Sequence, residues 1–330
     1  VKAMVLAAGF GTRLQPLTRT WPKPMFPVLG RPLLSHTFDL LRQAGIRDIA
    51  VNVHHLPECI IDHYESTPPP NLNLHFSREE QILGTAGGIK NLQNFLGDEP
   101  FIVINSDVVT DINLNHVIEF HKSKGACLTL VVRQDALPEQ YAPIEISKDG
   151  RVVRFVNGSL ENHPEDSMRV MFTGIQIMEP NIFERIPAGK FCGTTEDVFP
   201  EMVENGFPVY GYLYDGYWKD MGNRTNYLQV HADALDGKVK LKGISSHAPT
   251  GPLIVPPVLI GHNCHIAQDV QIGPYTVLGP GCTIKNGAII ERSVLWEGAT
   301  VGAGASIKQS IIAHNASVSN GKELIGESAV

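Results

Sequence analysis

Two periodicities divide the chain. Through the first two thirds, short apolar runs alternate with stretches of helical spacing. Val1–Ala7 is a short apolar run that ends at glycines. Over Leu33–Ala44 the residues Leu34, Phe38 and Leu41 fall on one helical face, and Gly45 ends it. Asp48–Val53 reads as a strand, Gly88–Leu96 as a helix and Phe101–Asn105 as a continuous apolar strand. Leu114–Lys124 is again helical, and Cys127–Val132 is another strand. Strands alternating with helices predict βαβ units. The expected fold is α/β, with a mostly parallel sheet and helices on both faces.

After about Gly243 the apolar residues recur every sixth position: Ile254, Ile260, Ile266, Ile272, Leu278, Ile284 and Ile290. Leu295, Val301, Ile307, Ile312 and Val318 follow, with two steps shortened by one. No α-helix has that period. Three six-residue sides make one triangular coil, and stacked coils bury the aliphatic row as a continuous core. These twelve positions predict roughly four coils. Asn320–Val330 loses the pattern and is expected to fray. The organisation is then a first domain over 1–237, a linker over 238–250 and a coiled domain over 251–330.

Composition narrows the function. Of the 330 residues, 43% are hydrophobic and 18% charged, which suits a packed core and makes disorder not the default. The net charge of -7 argues against a nucleic-acid surface, while leaving room for a local basic pocket. No apolar run approaches the roughly 20 residues of a membrane span, so no membrane partner is expected. The run Ala3–Gly9 is too short for a secretory core, and Arg13 follows closely. Five scattered cysteines without a C-x-x-C pair suggest neither zinc nor disulfides; free thiols in a reducing cytoplasm are expected.

The candidate chemistry starts at Leu6-Ala7-Ala8-Gly9-Phe10-Gly11-Thr12-Arg13-Leu14, directly after the first strand. Glycines let the backbone approach a ligand, successive N–H groups cradle phosphate oxygens, and Arg13 adds a forked donor. The loop lacks the third glycine of a dinucleotide fingerprint and the G-K-[ST] ending of a P-loop.

Taken longer, the stretch is A-A-G-x-G-T-R-L-x-P-L-T followed by Trp21-Pro22-Lys23-Pro24-Met25-Phe26-Pro27-Val28. It resembles the sugar-1-phosphate nucleotidylyltransferases. The similarity continues through Gly84-Thr85-Ala86-Gly87-Gly88, Asn105-Ser106-Asp107-Val108 and Gly216-Tyr217-Trp218-Lys219-Asp220-Met221-Gly222. The hexapeptide tail also occurs in members of the family, so the resemblance spans nearly the whole chain. It implies a Rossmann-like catalytic domain followed by a small left-handed parallel β-helix. Within the family, Phe101–Val108 with Phe120-His121 and Leu83–Gly87 are similar to the mannose-1-phosphate guanylyltransferase subgroup.

The resemblance implies roles. Leu6, Ala8, Gly9, Gly11, Thr12 and Arg13 would hold the nucleoside triphosphate, with Lys23 neutralising phosphate charge beside them. Gly84, Thr85 and Gly87 would contact the nucleoside. Asn105, Gly174 and Thr195 would face the sugar. Asp107 and Asp220 would bind Mg²⁺, which prefers one or two carboxylates plus waters and phosphate oxygens. Arg13, Lys23 and Asp107 form the implied catalytic set. A sugar phosphate oxygen attacks the α-phosphorus and pyrophosphate leaves. Both reactants are anions, so positioned positive charge lowers the barrier and no protein nucleophile is needed.

Plainer readings stand beside these. Asp107 suits a turn cap, Asp220 a surface turn, and Lys23 between prolines a solvated position. His54-His55 point to opposite faces of a strand, which disfavours a shared metal. His262 and His265 belong outside the coil.

The pattern also departs from the family. Many members carry a Glu-Lys-Pro whose lysine grips the sugar phosphate; here Asn157-Gly158-Ser159 follow Val156. Thr194-Thr195 stand near the place of a sugar-facing glutamate, and Phe172-Thr173-Gly174 keeps only the glycine of an Asn-Ala-Gly. N-acetylmuramate 1-phosphate uridylyltransferases share similar departures and are the alternative within the class. Outside it stand a non-catalytic regulatory homologue and a hexapeptide acyltransferase. Val258, Tyr275, Val277 and Trp296 fall at outward positions of the coil, which predicts a homo-oligomer assembled through residues 251–318.

Overall fold

The computed structural model describes residues 1–134, 143–156, 166–246 and 252–330. They form two compact units, one of Val1–Gly9 with Thr37–Trp218 and one of Phe10–His36 with Lys219–Val330. The stretch Asn157-Gly158-Ser159 lies outside the described residues.

The first unit is built on a nine-stranded sheet. Strand Lys2–Leu6 lies between Asp48–Val53 and Phe101–Asn105 and is parallel to both, with Val5 opposite Val51 and Ile104. Ala3, Met4 and Val5 are fully buried, as a run apolar on both faces requires. Asn73–Arg78 extends this parallel half. The long strand Ser167–Met178 then runs antiparallel to Phe101–Asn105, Leu128–Arg133 and Pro143–Ser147. Val152–Phe155 pairs antiparallel with Pro143–Ser147, and Val209–Leu213 runs parallel to Leu128–Arg133. The sheet is therefore mixed. The tight turn between Ser147 and Val152 forces its two strands antiparallel, because a parallel pair needs a crossover of a dozen residues.

The helix expected at Gly88 starts at Gly84 and runs to Asn91, followed by a short turn of helix over Gln93–Leu96. Its glycines answer to crowding. A Cβ on Gly87 would stand 2.7 Å from the Lys190 carbonyl oxygen, and one on Gly88 would stand 2.8 Å from Glu79 Oε1. Ala86, Ile89, Leu92 and Leu96 pack with Met4, Phe101, Val103, Phe183 and Phe199 in one core.

The second unit contains the predicted coils as a left-handed parallel β-helix. Its three faces are three parallel sheets. Ile254, Ile272, Ile290, Ile307 and Leu324 stack on one, and Ile260, Leu278, Leu295, Ile312 and Ala329 on the second. Ile266, Ile284, Val301 and Val318 stack on the third. The coil runs past Asn320, contrary to expectation, through strands Glu323–Ile325 and Ser328–Ala329. Leu324 is buried at the end of its row. The sequence pattern is weak there because polar and charged residues flank Leu324.

Two of the predicted outward residues are not outward. Val277 is buried, and Trp296 is only 2% exposed. Trp296 packs on Phe26 with ring centroids 4.8 Å apart, and its Nε1 donates to the Tyr227 hydroxyl at 2.9 Å. Trp21 stacks on His314 at 5.4 Å. The linker is also engaged where it is described. Ile244 N donates to the Leu29 carbonyl at 3.0 Å, and Arg31 donates to that of Lys242 at 3.3 Å. His262 and His265 are exposed, as expected.

Candidate active site

In the first unit, the site grows from the carboxyl ends of parallel strands. Ala7 follows strand Lys2–Leu6, and its N–H donates to Asn52 Oδ1 at 2.9 Å. Asn52 Nδ2 donates to Glu79 Oε1 at 2.7 Å, and Glu79 Oε2 accepts from Leu83 N at 3.0 Å. This buried chain ties the start of the glycine loop to the segment that opens helix Gly84–Asn91. The sequence reading missed Asn52 and Glu79. The available signal was Asn52 itself, a polar residue inside the apolar strand Asp48–Val53.

Thr85 exchanges hydrogen bonds with Thr194, between hydroxyls at 3.0 Å and from Thr194 N at 2.8 Å. Thr194, not its neighbour Thr195, makes this contact. Thr195 is half-buried beside it, in the irregular helical turn Thr194–Val198. Asn105 ends its strand against Gly174. Gly174 has φ of 82°, and a Cβ there would stand 2.6 Å from Asn105 Nδ2. A left-handed glycine is required for the two segments to meet. Asp107 is half-buried in the turn just past the same strand. Trp218 Nε1 donates to the carbonyl of Thr173 at 2.9 Å, which holds the segment before Gly174. Tyr214 donates its hydroxyl proton to Asp111, and burial raises the Tyr214 pKa well above the ordinary phenol value.

The second unit carries the cations. Gly11 adopts a left-handed conformation with φ of 62°, and its carbonyl accepts from Thr18 Oγ1 at 3.1 Å. Short 3-10 turns follow at Thr12–Leu14, Leu17–Arg19 and Lys23–Met25. The Lys23 stem lies against Gly11, 3.4 Å from where a Cβ would stand. Lys23 is only 9% exposed, which disfavours the reading of a solvated lysine. Arg13 and Asp220, more than two hundred residues apart in sequence, close on Gly222. A Cβ there would stand 2.9 Å from Arg13 Nη2 and 2.7 Å from Asp220 Oδ1. Asp220 Oδ1 also accepts from Gly222 N at 2.6 Å and from Asn226 Nδ2 at 3.3 Å.

Among the described residues, no group of three or more His, Cys, Asp and Glu could hold a metal ion. An ion held by one or two carboxylates, with waters and phosphate oxygens completing its shell, needs no such group.

Glycine loops, a lysine with a buried stem and an arginine beside a carboxylate are groups of the kind that bind phosphates elsewhere. The nucleotidyl transferase family model matches residues 2–237, and the model for the GMPPB C-terminal domain matches residues 254–330. The chain belongs to the nucleotidyl transferase family. A UTP–glucose-1-phosphate uridylyltransferase of Synechocystis sp. is 32% identical over 326 residues, 90% of this chain and 83% of that protein. A mannose-1-phosphate guanylyltransferase of Mycobacterium tuberculosis is 30% identical over 303 residues, 88% of this chain and 83% of that one. A mannose-1-phosphate guanyltransferase of Hypocrea jecorina is 32% identical over 278 residues, 80% and 74% respectively. Enzymes of this kind generally use a divalent metal. No helix among the described residues is long and apolar enough to cross a membrane.

Proposed function

We propose that the protein joins a sugar 1-phosphate to a nucleoside triphosphate, releasing pyrophosphate, with GTP and mannose 1-phosphate as its substrates. The observation that carries this choice is the pairing of two matches, the nucleotidyl transferase model over the first part and the GMPPB C-terminal model over the tail. The guanylyltransferase relatives, similar over most of both chains, support the same base and sugar. A second reading, UTP with a hexose or amino-sugar 1-phosphate, is favoured by the uridylyltransferase relative.

In this reading Gly9, Gly11 and Thr12 offer backbone donors to the triphosphate after Leu6 and Ala8. Arg13 and Lys23 balance the negative charge that gathers as the phosphate oxygen attacks the α-phosphorus. Gly84, Thr85 and Gly87 receive the nucleoside. Asn105, Gly174 and Thr195 border the sugar. Asp107 and Asp220 hold Mg²⁺, which when bound neutralises phosphate charge and orients the reacting groups. The catalytic domain spans 1–237, and the enzyme works in the cytoplasm. It assembles as a homo-oligomer through residues 251–318. Burial of Val277 and Trp296 reduces the surface first assigned to that contact to Val258, Tyr275 and their neighbours.

Pyrophosphate release across a grid of GTP, UTP, ATP and dTTP against several sugar 1-phosphates tests the reading. GTP with mannose 1-phosphate should give the highest kcat/KM. Faster turnover of UTP with an amino-sugar or muramate phosphate by about tenfold, or roughly 1.4 kcal/mol in the barrier, would replace it. Asp107→Asn and Asp220→Asn should each raise the Mg²⁺ concentration needed for half-maximal rate. Light scattering at micromolar concentration checks the oligomer, and a monomer there removes that part.

A further inference from the structure

The irregular helical turn Thr194–Val198 leads directly into helix Phe199–Glu204. The first N–H groups of such a turn have no partner within it, and a Ser, Thr, Asp or Asn just before it normally accepts from one of them. Gly193 stands in that place. Its backbone is extended, with φ of -92° and ψ of 149°, as a cap requires, but glycine has no side chain to accept with. The cap comes from elsewhere in the chain. Thr85 Oγ1 accepts from Thr194 N at 2.8 Å, across 109 residues, and pairs with the Thr194 hydroxyl at 3.0 Å. Asp197 Oδ2 accepts from Gly193 N at 2.7 Å and completes the end. Thr194 is only 3% exposed, which leaves water little access to its N–H.

Thr85 itself sits on a segment that is fixed independently of this cap. Leu83 N donates to Glu79 Oε2 at 3.0 Å, and the Leu83 carbonyl accepts from Cys192 N at 2.9 Å. Ala86 N and Gly87 N both donate to the Cys192 carbonyl, at 3.0 and 3.2 Å. Gly84, with φ of 74°, lets the two backbones meet, since a Cβ there would stand 2.5 Å from that same oxygen. Past Cys192, the bonds that join the two segments are those of the Thr85 hydroxyl. The start of the turn therefore takes its position from Thr85.

We propose that Thr85 is a positioning residue for the sugar phosphate, acting through Thr194. The role rests on the reading above, in which Gly84, Thr85 and Gly87 receive the nucleoside and Thr195 borders the sugar. The Thr85 hydroxyl is committed to Thr194, so its contribution is to the placement of Thr195, one residue further on. The cap fixes that residue relative to the turn that holds the nucleoside, and the sugar phosphate is presented in register with the nucleotide it attacks. Losing the cap frees the start of the turn on the sugar side. The bonds through Glu79 and Cys192 still hold the nucleoside side.

The test is initial-rate kinetics of the full chain by pyrophosphate release, in wild type, Thr85→Val, Thr85→Ser and Thr194→Val. The nucleotide and sugar 1-phosphate of highest kcat/KM are each varied in turn. Thr85→Val keeps the shape and removes the acceptor. The KM for the sugar 1-phosphate should rise about tenfold, as leaving a buried N–H without its partner implies, while the KM for the nucleotide stays within about twofold. Thr85→Ser keeps the hydroxyl and should bring the sugar KM back to that of wild type. Thr194→Val keeps its N–H bond to Thr85 and loses the hydroxyl pair, so the sugar KM should rise by about threefold; it carries the test if Thr85→Val lowers Tm too far to assay. Three results overturn the proposal: an unchanged sugar KM in the valine variants, an equal rise in both KM values, or a serine variant no better than the valine. Wild-type protein that releases no pyrophosphate from any pair fails the transferase reading itself, whereas wild-type turnover with any of those three results fails the positioning role alone.

Discussion

Replacing Trp296 by alanine should destabilise the enzyme and slow it, although Trp296 belongs to no substrate-facing set. The ring is 2% exposed and lies 4.8 Å from Phe26, centroid to centroid. Its Nε1 donates to the Tyr227 hydroxyl, which in turn donates to the Pro27 carbonyl at 2.5 Å. Truncating a buried tryptophan costs about 3–5 kcal/mol. About 1 kcal/mol of that is the hydrogen bond, so Trp296→Phe, which keeps a ring, should lose only about 1–2 kcal/mol. Against a total stability of about 5–15 kcal/mol the larger loss is severe. It falls on Phe26 and Pro27, three and four residues after Lys23, so kcat/KM should fall as the segment loosens. Urea unfolding followed by far-ultraviolet circular dichroism gives the stability, and pyrophosphate release gives the rate. A Trp296→Ala protein within about 1 kcal/mol of wild type and with unchanged kcat/KM would refute the reasoning. The same packing sets the outcome of a truncation. A chain cut after Lys240 loses Trp296, His314 and Ile244, which strips contacts from residues 21–30, and activity should go with them.

Three further outcomes follow from particular contacts. Arg13→Ala and Lys23→Ala should each lower kcat by about 10²–10³, as removal of a charge-stabilising donor does, with pyrophosphate release as the measure; wild-type rates would defeat the assignment. Gly174→Ala should lower Tm, since φ of 82° and a Cβ 2.6 Å from Asn105 Nδ2 leave no relaxed arrangement; an unchanged Tm would show that the crowding is relieved cheaply. His231 is buried with Nδ1 2.9 Å from the Tyr227 carbonyl, and burial pushes its pKa down to about 4. The unfolded chain takes up that proton below about pH 6.5 while the folded chain does not, so stability should fall between about pH 6.5 and 4, by about 3 kcal/mol at most. Urea midpoints at pH 7 and pH 5 should converge in His231→Asn, and an undiminished difference would point to other groups.

The repeat was legible because a period of six leaves one row of positions without polar alternatives, and Ile254 through Val318 fill that row in the structure. The strands Asp48–Val53 and Phe101–Asn105 and the helix Leu114–Lys124 were legible to the residue, since each is a clean apolar or amphipathic run between turn signals. The helix start at Gly84 was not. Three glycines in five residues look like a turn, and only the carbonyls of Lys190 and Cys192 and the Glu79 carboxylate explain them as close packing. In the site, Arg13 and Asp220 were found by motif, and the structure brings them together over Gly222. Asn52 and Glu79 were not found, because a polar pair 27 residues apart carries no local spacing rule and becomes visible only when two parallel strands align them.

Trp296 shows the limit of a period most sharply. Hexapeptide spacing says which side chains enter the coil and is silent about what covers the outside. An outward tryptophan therefore looked like a docking residue for another subunit. Its partners are Phe26 and Tyr227, which follow the glycine-loop motif and the Gly216–Gly222 motif in the chain. That assigns the tail a role that does not depend on assembly. The β-helix supplies the apolar wall on which residues 10–36 fold, and those residues carry Arg13 and Lys23. The short 3-10 turns of this segment are closed mostly by local hydrogen bonds three or four residues long, which shape each turn but tie it to little else. Phe26, wedged against Trp296 and Tyr227, anchors the segment to the coil.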